Sequence, residues 1–354
     1  YNFQYFNKIL FEMKGFINFN KKKVFNYKNI LFFTFLTISL FTRLNSQFSF
    51  VDIIAQLSFQ VIICGILLSF FFILCKNFLF SLICMLVCFL IAIDILVSCV
   101  NCNSFLEDKS QKYTKIRFMT FNVGLSNNFN NLREQILLEN PDIIQLQEVT
   151  LQTRAQLKSL ESFFPYNSGL DNSLNPFSSI LFSKYPLKNT KIIDYHTVIT
   201  NVILENGEFT LIGAHVSPPL DDFLGEIYID MFFTYSNSKR PKKLPEANLG
   251  IAIAHIEFIK NLVNKIDKKL IVIGDLNMSP VSKRFNKFLK DTSLYTFISY
   301  KNFISTWPTF LPEFFGVQID HVLFSKHFKV IKIKTNNNKI SDHRPLIVDL
   351  AYFK

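Results

Sequence analysis

The sequence predicts an α/β fold in which two β-sheets pack face to face with helices outside, preceded by an apolar helical region. Three observations predict it. Residues 30 to 100 carry only Arg43, Asp52, Lys76 and Asp94 as charged side chains, in a chain that is 49% hydrophobic and 18% charged; an ordinary soluble domain is about 25% charged. Beyond Leu106, short apolar runs alternate with helix-period segments and turn residues, and strand-rich halves of that kind need a second layer to cover them. Many of those runs close on an acid, an amide or an imidazole, as strands do when their ends open on one shared cleft.

The N-terminal region comes first. A membrane-crossing helix needs about 20 mostly apolar residues, and Ile53 to Cys75 and Phe78 to Val100 meet that; Phe25 to about Thr42 meets it if Lys28 snorkels. Phe78 to Ile93 shows almost no polar face, which a buried helix of a soluble protein would carry. Lys8, Lys14, Lys21, Lys22, Lys23 and Lys28, with Lys76 in the turn between the later spans, mark the cytoplasmic side. Three spans then deliver the rest of the chain to the extracytoplasmic side, and loss of the first would reverse that. The expected division is 1–102 as a membrane anchor with about three transmembrane helices, 103–114 as a polar linker and 115–354 as a soluble domain. All six cysteines lie at or before Cys102, so the domain has neither a disulfide framework nor a thiolate metal site. The first 102 residues hold 8 Lys or Arg against 3 Asp or Glu, so the domain carries about +6 of the net +11. That balance suits an anionic substrate or lipid surface and is small for a nucleic-acid binder.

Within the domain, Lys115 to Val123 reads as a strand, Leu132 to Glu139 as a helix, and Pro141 to Glu148 as a strand entered by a helix-breaking proline. Leu151 to Leu160 is helical; Ser179 to Phe182, Lys191 to Leu204 and Glu208 to His215 are strands, the last two joined at an Asn206-Gly207 hairpin turn. Ala247 to Ile266 has helical spacing, Leu270 to Gly274 is a buried strand, and Val281 to Leu289 is a helix started by Ser279-Pro280. Ile319 to Phe324, Phe328 to Lys334 and Pro345 to Tyr352 complete the strands.

The polar residues at strand ends each have two readings. Glu148 fits a cap for the next helix or a ligand for Mg²⁺, which takes oxygen donors and needs only one or two protein carboxylates. Asn122 fits a turn before Gly124 or the same cleft. Asp275 and Asn277, two apart, share one side of an extended chain, which suits an acid taking a proton from water beside an amide on a phosphate oxygen. His215 stands at a strand exit; Asp320 and His343 can meet only through tertiary structure, as an acid orienting an imidazole must. Asp342 adds a further oxygen, whereas His196, His255, His321 and His327 read as structural.

Taken in order, Thr120-Phe121-Asn122, Gln147-Glu148, Gly274-Asp275-Leu276-Asn277, Ile319-Asp320-His321 and Ser341-Asp342-His343-Arg344-Pro345 resemble, motif by motif, the endonuclease/exonuclease/phosphatase superfamily over residues 115 to 354. His215-Val216-Ser217-Pro218-Pro219, Thr306-Trp307-Pro308 and the apolar leader look similar to its bacterial membrane-anchored branch. The resemblance implies a four-layer α/β sandwich. It implies Glu148 as principal metal ligand, Asn122 beside it and Asp342 close by, for Mg²⁺ or Mn²⁺. Asp275 would activate water, Asn277 would contact the phosphate, and His215 and His343 would stabilise charge, with Asp320 orienting His343. The expected activity is hydrolysis of a phosphodiester by a membrane-anchored enzyme, lipid being one candidate substrate. The alternatives are a surface nuclease acting on DNA or RNA, and a catalytically inactive membrane-anchored scaffold. Leu220 to Leu249, aromatic and then basic at Lys239-Arg240-Pro241-Lys242-Lys243, is expected to wall the cleft against an anionic lipid surface.

Overall fold

The computed structural model describes residues 27–44, 49–98, 112–124, 129–169, 178–193, 196–219, 251–266, 269–297, 304–336 and 340–353. The basic cluster before residue 26, most of the expected linker and the Leu220 to Leu249 segment lie outside them. The chain forms two compact units, one of residues 1–44 and 57–96, the other of residues 45–56 and 97–354.

The first unit holds helix α1 (residues 27–43), α3 (Ser58–Leu74) and α4 (Phe78–Ser98). Phe32, Phe35, Val61, Phe72, Cys84, Cys88 and Ile91 form its buried core, with Phe32 stacked on Phe80 at 4.0 Å. Gly65 lets α3 approach its neighbours: a Cβ there would overlap Cys88 and Phe35. Among the described residues, Phe78–Val97 is the one helix long and apolar enough to cross a membrane. The expected span from Ile53 is corrected. Residues Ser49–Gln56 form a separate helix, α2, and α3 begins only at Ser58, after Leu57. The cause is polarity: Asp52 and Gln56 are buried in the second unit, so Ile53 lies on their short helix and not on the apolar α3.

The second unit contains the two sheets. Its elements are β1 (Thr114–Asn122), α5 (Phe129–Glu139), β2 (Ile143–Val149), α6 (Leu151–Leu157), β3 (Tyr166–Asn167), β4 (Ser178–Ser183), β5 (Leu187–Ile192), β6 (Thr197–Leu204), β7 (Gly207–His215), α7 (Ile251–Asn264), β8 (Leu270–Asp275), α8 (Lys283–Thr292), β9 (Asp320–Phe324), β10 (Phe328–Thr335) and β11 (Leu346–Tyr352). One mixed sheet runs β10-β11-β1-β2-β4-β3 and the other β5-β6-β7-β8-β9. Phe118, Ile143, Leu181, Leu211, Ile271, Ile273, Val322 and Val348 fill the space between the sheets. Leu132, Ile136, Leu157 and Leu160 cover the outer face of the first sheet, and Ile256, Ile259, Phe285 and Leu289 that of the second. Two packed mixed sheets flanked by helices therefore make up the domain, and the strands are apolar on both faces because both faces are covered.

Three local expectations are corrected. The run from Lys191 to Leu204 is two strands, β5 and β6, antiparallel to each other. The β6–β7 hairpin turns at Glu205-Asn206, since Leu204 pairs with Gly207, which takes φ +145° as the first strand residue. Helix α8 is capped by Ser282, whose side chain accepts from the Phe285 N–H, rather than starting at Ser279-Pro280.

Candidate active site

Strand direction brings the chemistry to one end of the sandwich. β1 and β2 are parallel and pair Asn122 with Gln147, so Asn122 and Glu148 leave the first sheet together. In the second sheet β7 and β8 are parallel and pair His215 with Asp275, while β9 runs back and pairs its first residue, Asp320, with Asp275. His343 arrives on the turn before β11, which is antiparallel to β1 with Leu346 opposite Thr120. Each residue is at a strand end or in the turn beside one, and all those ends are the same end.

Glu148 is aimed by an irregularity. Leu146 pairs with Ile180 and Val149 with Ser178, so Gln147 and Glu148 together oppose the single residue Ser179, a β-bulge that re-directs a side chain. Glu148 takes φ +55°, a left-handed conformation costing about 1–2 kcal/mol in a side chain of this type. It does not cap the next helix; Thr150 does, accepting from the Thr153 N–H at 3.1 Å.

Asn122 ties the two sheets. Its Nδ2 donates to Glu148 Oε1 at 2.8 Å and to Asp275 Oδ2 at 3.1 Å, and its Oδ1 accepts from the Gly124 N–H at 3.0 Å. The turn and the cleft readings of this residue thus coexist. Asp275 Oδ1 accepts from the Asn277 N–H at 2.9 Å, and Asn277 Nδ2 donates to the Val216 carbonyl at 2.7 Å. The expected strand alternation of Asp275 and Asn277 is corrected: Asn277 takes φ +48° and the two are joined by a turn, with Leu276 buried between them.

On the imidazole side, His343 Nδ1 lies 3.0 Å from Asp320 Oδ2, and its Nε2 is 3.8 Å from Asp275 Oδ2. His215 Nε2 is 3.6 Å from Glu148 Oε1 and 3.9 Å from Asp275 Oδ2. Asp275 is therefore the hub. Burial, then the neighbouring Asp320, raises its carboxyl from the ordinary range to about 8, and burial raises Glu148 as well. Burial by itself would lower His343, but the charge of Asp320 and its hydrogen bond, with Asp275 and Asp342 beyond, lift it to about 10. His215 goes the other way, well below its usual value, through burial and the adjacent His196, His343 and His255. One imidazole is thus held protonated and the other neutral.

A profile of the endonuclease/exonuclease/phosphatase family matches residues 119–343. The chain belongs to that family. Its members are metal-dependent phosphoesterases and nucleases, and the chain is accordingly a metal-dependent hydrolase of phosphate ester bonds. No curated protein matches the sequence. Among solved structures, an endonuclease/exonuclease/phosphatase from Bacteroides vulgatus is similar at 14% identity and TM-score 0.49, covering 68% of this chain and 99% of that one. One from Beutenbergia cavernae is similar at 13% identity and TM-score 0.48, covering 68% and 72%. A Staphylococcus aureus beta toxin variant with bound magnesium is similar at 15% identity and TM-score 0.44, covering 68% and 100%.

The donor set of this family member suits a hard divalent cation. Two carboxylates, Glu148 and Asp275, share one amide donor, and Asp320 Oδ1 is buried without a hydrogen-bond partner among the described residues, so carboxylate oxygens, the donors such an ion takes, keep spare acceptor capacity here. The ligand atoms of Asp275, Asp320 and His343 also lie within 4.8 Å of one another. A protonated imidazole has no lone pair to give, however, which favours the Glu148 side. Asp342 is exposed, its Oδ2 accepting from Trp307 Nε1 at 3.0 Å, at the rim rather than among the buried acids.

Several residues that hold this cluster in place are not singled out by sequence reasoning. Thr306 Oγ1 accepts from the Ile319 and Asp320 N–H groups, fixing the start of β9. Arg344, 1% exposed, donates to Ser305 Oγ and to the carbonyls of Pro308, Thr309 and Leu311. Ser341 Oγ donates to the Asn122 carbonyl and accepts from the His343 N–H. Thr306, Ser341 and Arg344 sit inside the quoted motifs, which is the signal that could have found them. His196 and His255, which read as structural in the sequence, stand behind His215, with ring centroids 5.5 Å from His196 to His215 and 6.2 Å from His196 to His255. His321 Nε2 lies 2.7 Å from the Met278 carbonyl, away from the cleft.

Proposed function

We propose that the protein is a membrane-anchored, Mg²⁺-dependent phosphodiesterase. The observation that carries this reading is the sharing of Asp275 between two sets of groups: through Asn122 it is joined to Glu148, and across 3.8 Å it faces the imidazole that Asp320 holds.

Glu148, with Asn122 beside it and Asp342 at the rim, would hold the ion. When bound, a divalent cation supplies Lewis-acid polarisation of the phosphoryl oxygens and lowers the pKa of water. Asp275 takes the proton of the attacking water, a role for its ionised form, which burial and Asp320 oppose and the charge of His343 favours. His343, kept protonated by Asp320, presents its Nε2–H to a phosphoryl oxygen, where negative charge develops in the transition state. His215 acts as a neutral N–H donor on the same cleft, and Asn277 orients the phosphate.

Residues 1–102 form the anchor, with α4 and the shorter α3 and α1 as spans, and residues 103–114 the linker to the catalytic domain of 115–354. α4 is the segment that length and composition support best. The basic residues before α1 put the domain on the extracytoplasmic side. A tethered domain of weak positive charge suits a phosphodiester presented at a lipid surface.

The test is hydrolysis of bis(p-nitrophenyl) phosphate, sphingomyelin vesicles and single-stranded DNA by detergent-purified full chain, in Mg²⁺ or chelator, beside Asp275→Asn and His343→Ala. Activity on a diester that is lost in chelator and in both variants is the expected result. Rates insensitive to the variants would overturn the mechanism, preference for DNA would favour a nuclease, and inactivity on all three would favour a scaffold.

A further inference from the structure

We infer that α2, the short helix between the first two apolar helices, is a positioning element that clamps the loop carrying Asn277, so that the catalytic site is complete only when α2 is docked. The contact lies within the second unit, to which residues 45–56 belong. Asp52 and Gln56 are one helical turn apart on α2, which puts them on one face. Gln56 Nε2 donates to Asp52 Oδ2 at 3.1 Å and to the Asn277 carbonyl at 3.2 Å. Arg284 Nη1, from the first turn of α8, lies 3.5 Å from Asp52 Oδ2. Asp52 is 5% exposed and Gln56 8%, beside buried Val51 and Ala55.

The chemistry of these groups argues that the contact is built. A carboxylate and a primary amide so deeply buried are costly unless paired, and their partners here are a cation and a carbonyl of the catalytic domain. Among the described residues the Arg284 Nη atoms are buried without a hydrogen bond, and Asp52 is the carboxylate that faces them. Asn277 is then held at three points. Its N–H is on Asp275, its side-chain amide on the Val216 carbonyl, and its own carbonyl on Gln56. The first two come from the last residue of β8 and from the residue that follows β7, whereas Gln56 comes from outside the sandwich. Asn277 also takes φ +48°, so the peptide that Gln56 holds follows a residue in a sparsely populated conformation whose orientation needs support.

The kinetic consequence rests on the phosphodiesterase reading; the dock does not. The experiment uses the full chain in detergent, with Gln56→Glu, which keeps the shape and removes the donor, and Asp52→Asn, which removes the counter-charge. Hydrogen exchange at the amides of residues 276–282 should speed by about 5-fold in each, the factor for one lost hydrogen bond. Exchange in β2 should not change, which shows that the fold survives. kcat on bis(p-nitrophenyl) phosphate should fall by about 10-fold with KM nearly constant, because a misplaced site group costs turnover more than binding. Unchanged exchange at 276–282 in both variants would overturn the dock. Faster exchange with unchanged kcat would overturn the positioning role. Faster exchange in a chain whose wild type hydrolyses no diester would sustain the dock and overturn only the phosphodiesterase reading.

Discussion

Asp320 Oδ2 lies 3.0 Å from His343 Nδ1, although 23 residues separate them, and the opposite ring nitrogen faces Asp275. The acid fixes both the orientation and the charge of the imidazole. Asp320→Asn keeps the size of the side chain and removes that charge, so kcat is expected to fall by about 100-fold with a small change in KM. Steady-state kinetics on a soluble diester checks this; an unchanged kcat would leave His343 without the role assigned to it.

Asn122 holds one buried and one half-buried acid, Asp275 and Glu148, with one amide nitrogen. Asn122→Asp replaces two donated hydrogen bonds by like-charge repulsion, so the variant should lose about 2 kcal/mol in chelator. Saturating Mg²⁺ should restore part of that loss, because a cation relieves the repulsion. Denaturant unfolding with and without Mg²⁺ reads both terms. A loss that Mg²⁺ leaves untouched would place the ion away from these acids.

The choice between the two candidate ligand sets turns on Glu148. Saturating Mg²⁺ is expected to raise the melting temperature of the wild type by about 5 °C, as binding at roughly 100 times Kd would for a domain of this size, and to leave Glu148→Gln unmoved. Persistence of the shift in Glu148→Gln would locate the ion at Asp275, Asp320 and His343 instead.

Gly274 takes φ +148°, and a Cβ on it would overlap the Ala214 backbone of the adjacent strand. Gly274→Ala is therefore expected to cost about 4 kcal/mol, from strain and overpacking together, and to misplace Asp275 next door. Thermal melting decides; a change within about 0.5 kcal/mol, the range of an ordinary surface substitution, would refute the packing argument.

Asp349 in β11 is 3% exposed and pairs with Arg117 Nε at 2.6 Å and Lys115 Nζ at 2.8 Å. Burial opposes its ionisation, but the hydrogen bonds and charges of Arg117 and Lys115 outweigh it and hold the carboxyl below its usual range. A depressed folded pKa gives stability that is present above the unfolded value of about 3.9 and is lost as pH falls through the folded value. Asp349→Asn should cost about 2 kcal/mol at neutral pH and flatten the acid limb of the stability curve below about pH 4. Parallel acid limbs in the two proteins would remove Asp349 from that titration.

Much of this site is legible in the chain. Strand ends are readable because a buried strand must be apolar and stop where polarity begins; Asn122, His215 and Asp275 each mark such a stop, and Asp320 marks a strand's start. The bulge that turns Glu148 is not readable, because it depends on Leu146 and Val149 pairing with Ile180 and Ser178 across a different part of the sequence. The left-handed turn at Asn277 replaced a plausible strand alternation for a similar reason: the Asp275 and Val216 acceptors that hold it are set by neighbouring strands. α2 was hidden inside an apolar run whose two polar residues, Asp52 and Gln56, have meaning only beside Arg284 and Asn277.

Residue type and period determined on their own the apolar leader, the alternation of strands and helices, and the reactive side chains that end them, because each reflects which groups tolerate burial within a few residues of one another. Which carboxylates share a proton donor, which imidazole faces a buried acid and which helix reaches the Asn277 loop were decided only in three dimensions. Electrostatic and hydrogen-bond energies depend on distances of a few ångströms between groups far apart in the chain, and folding alone sets those distances.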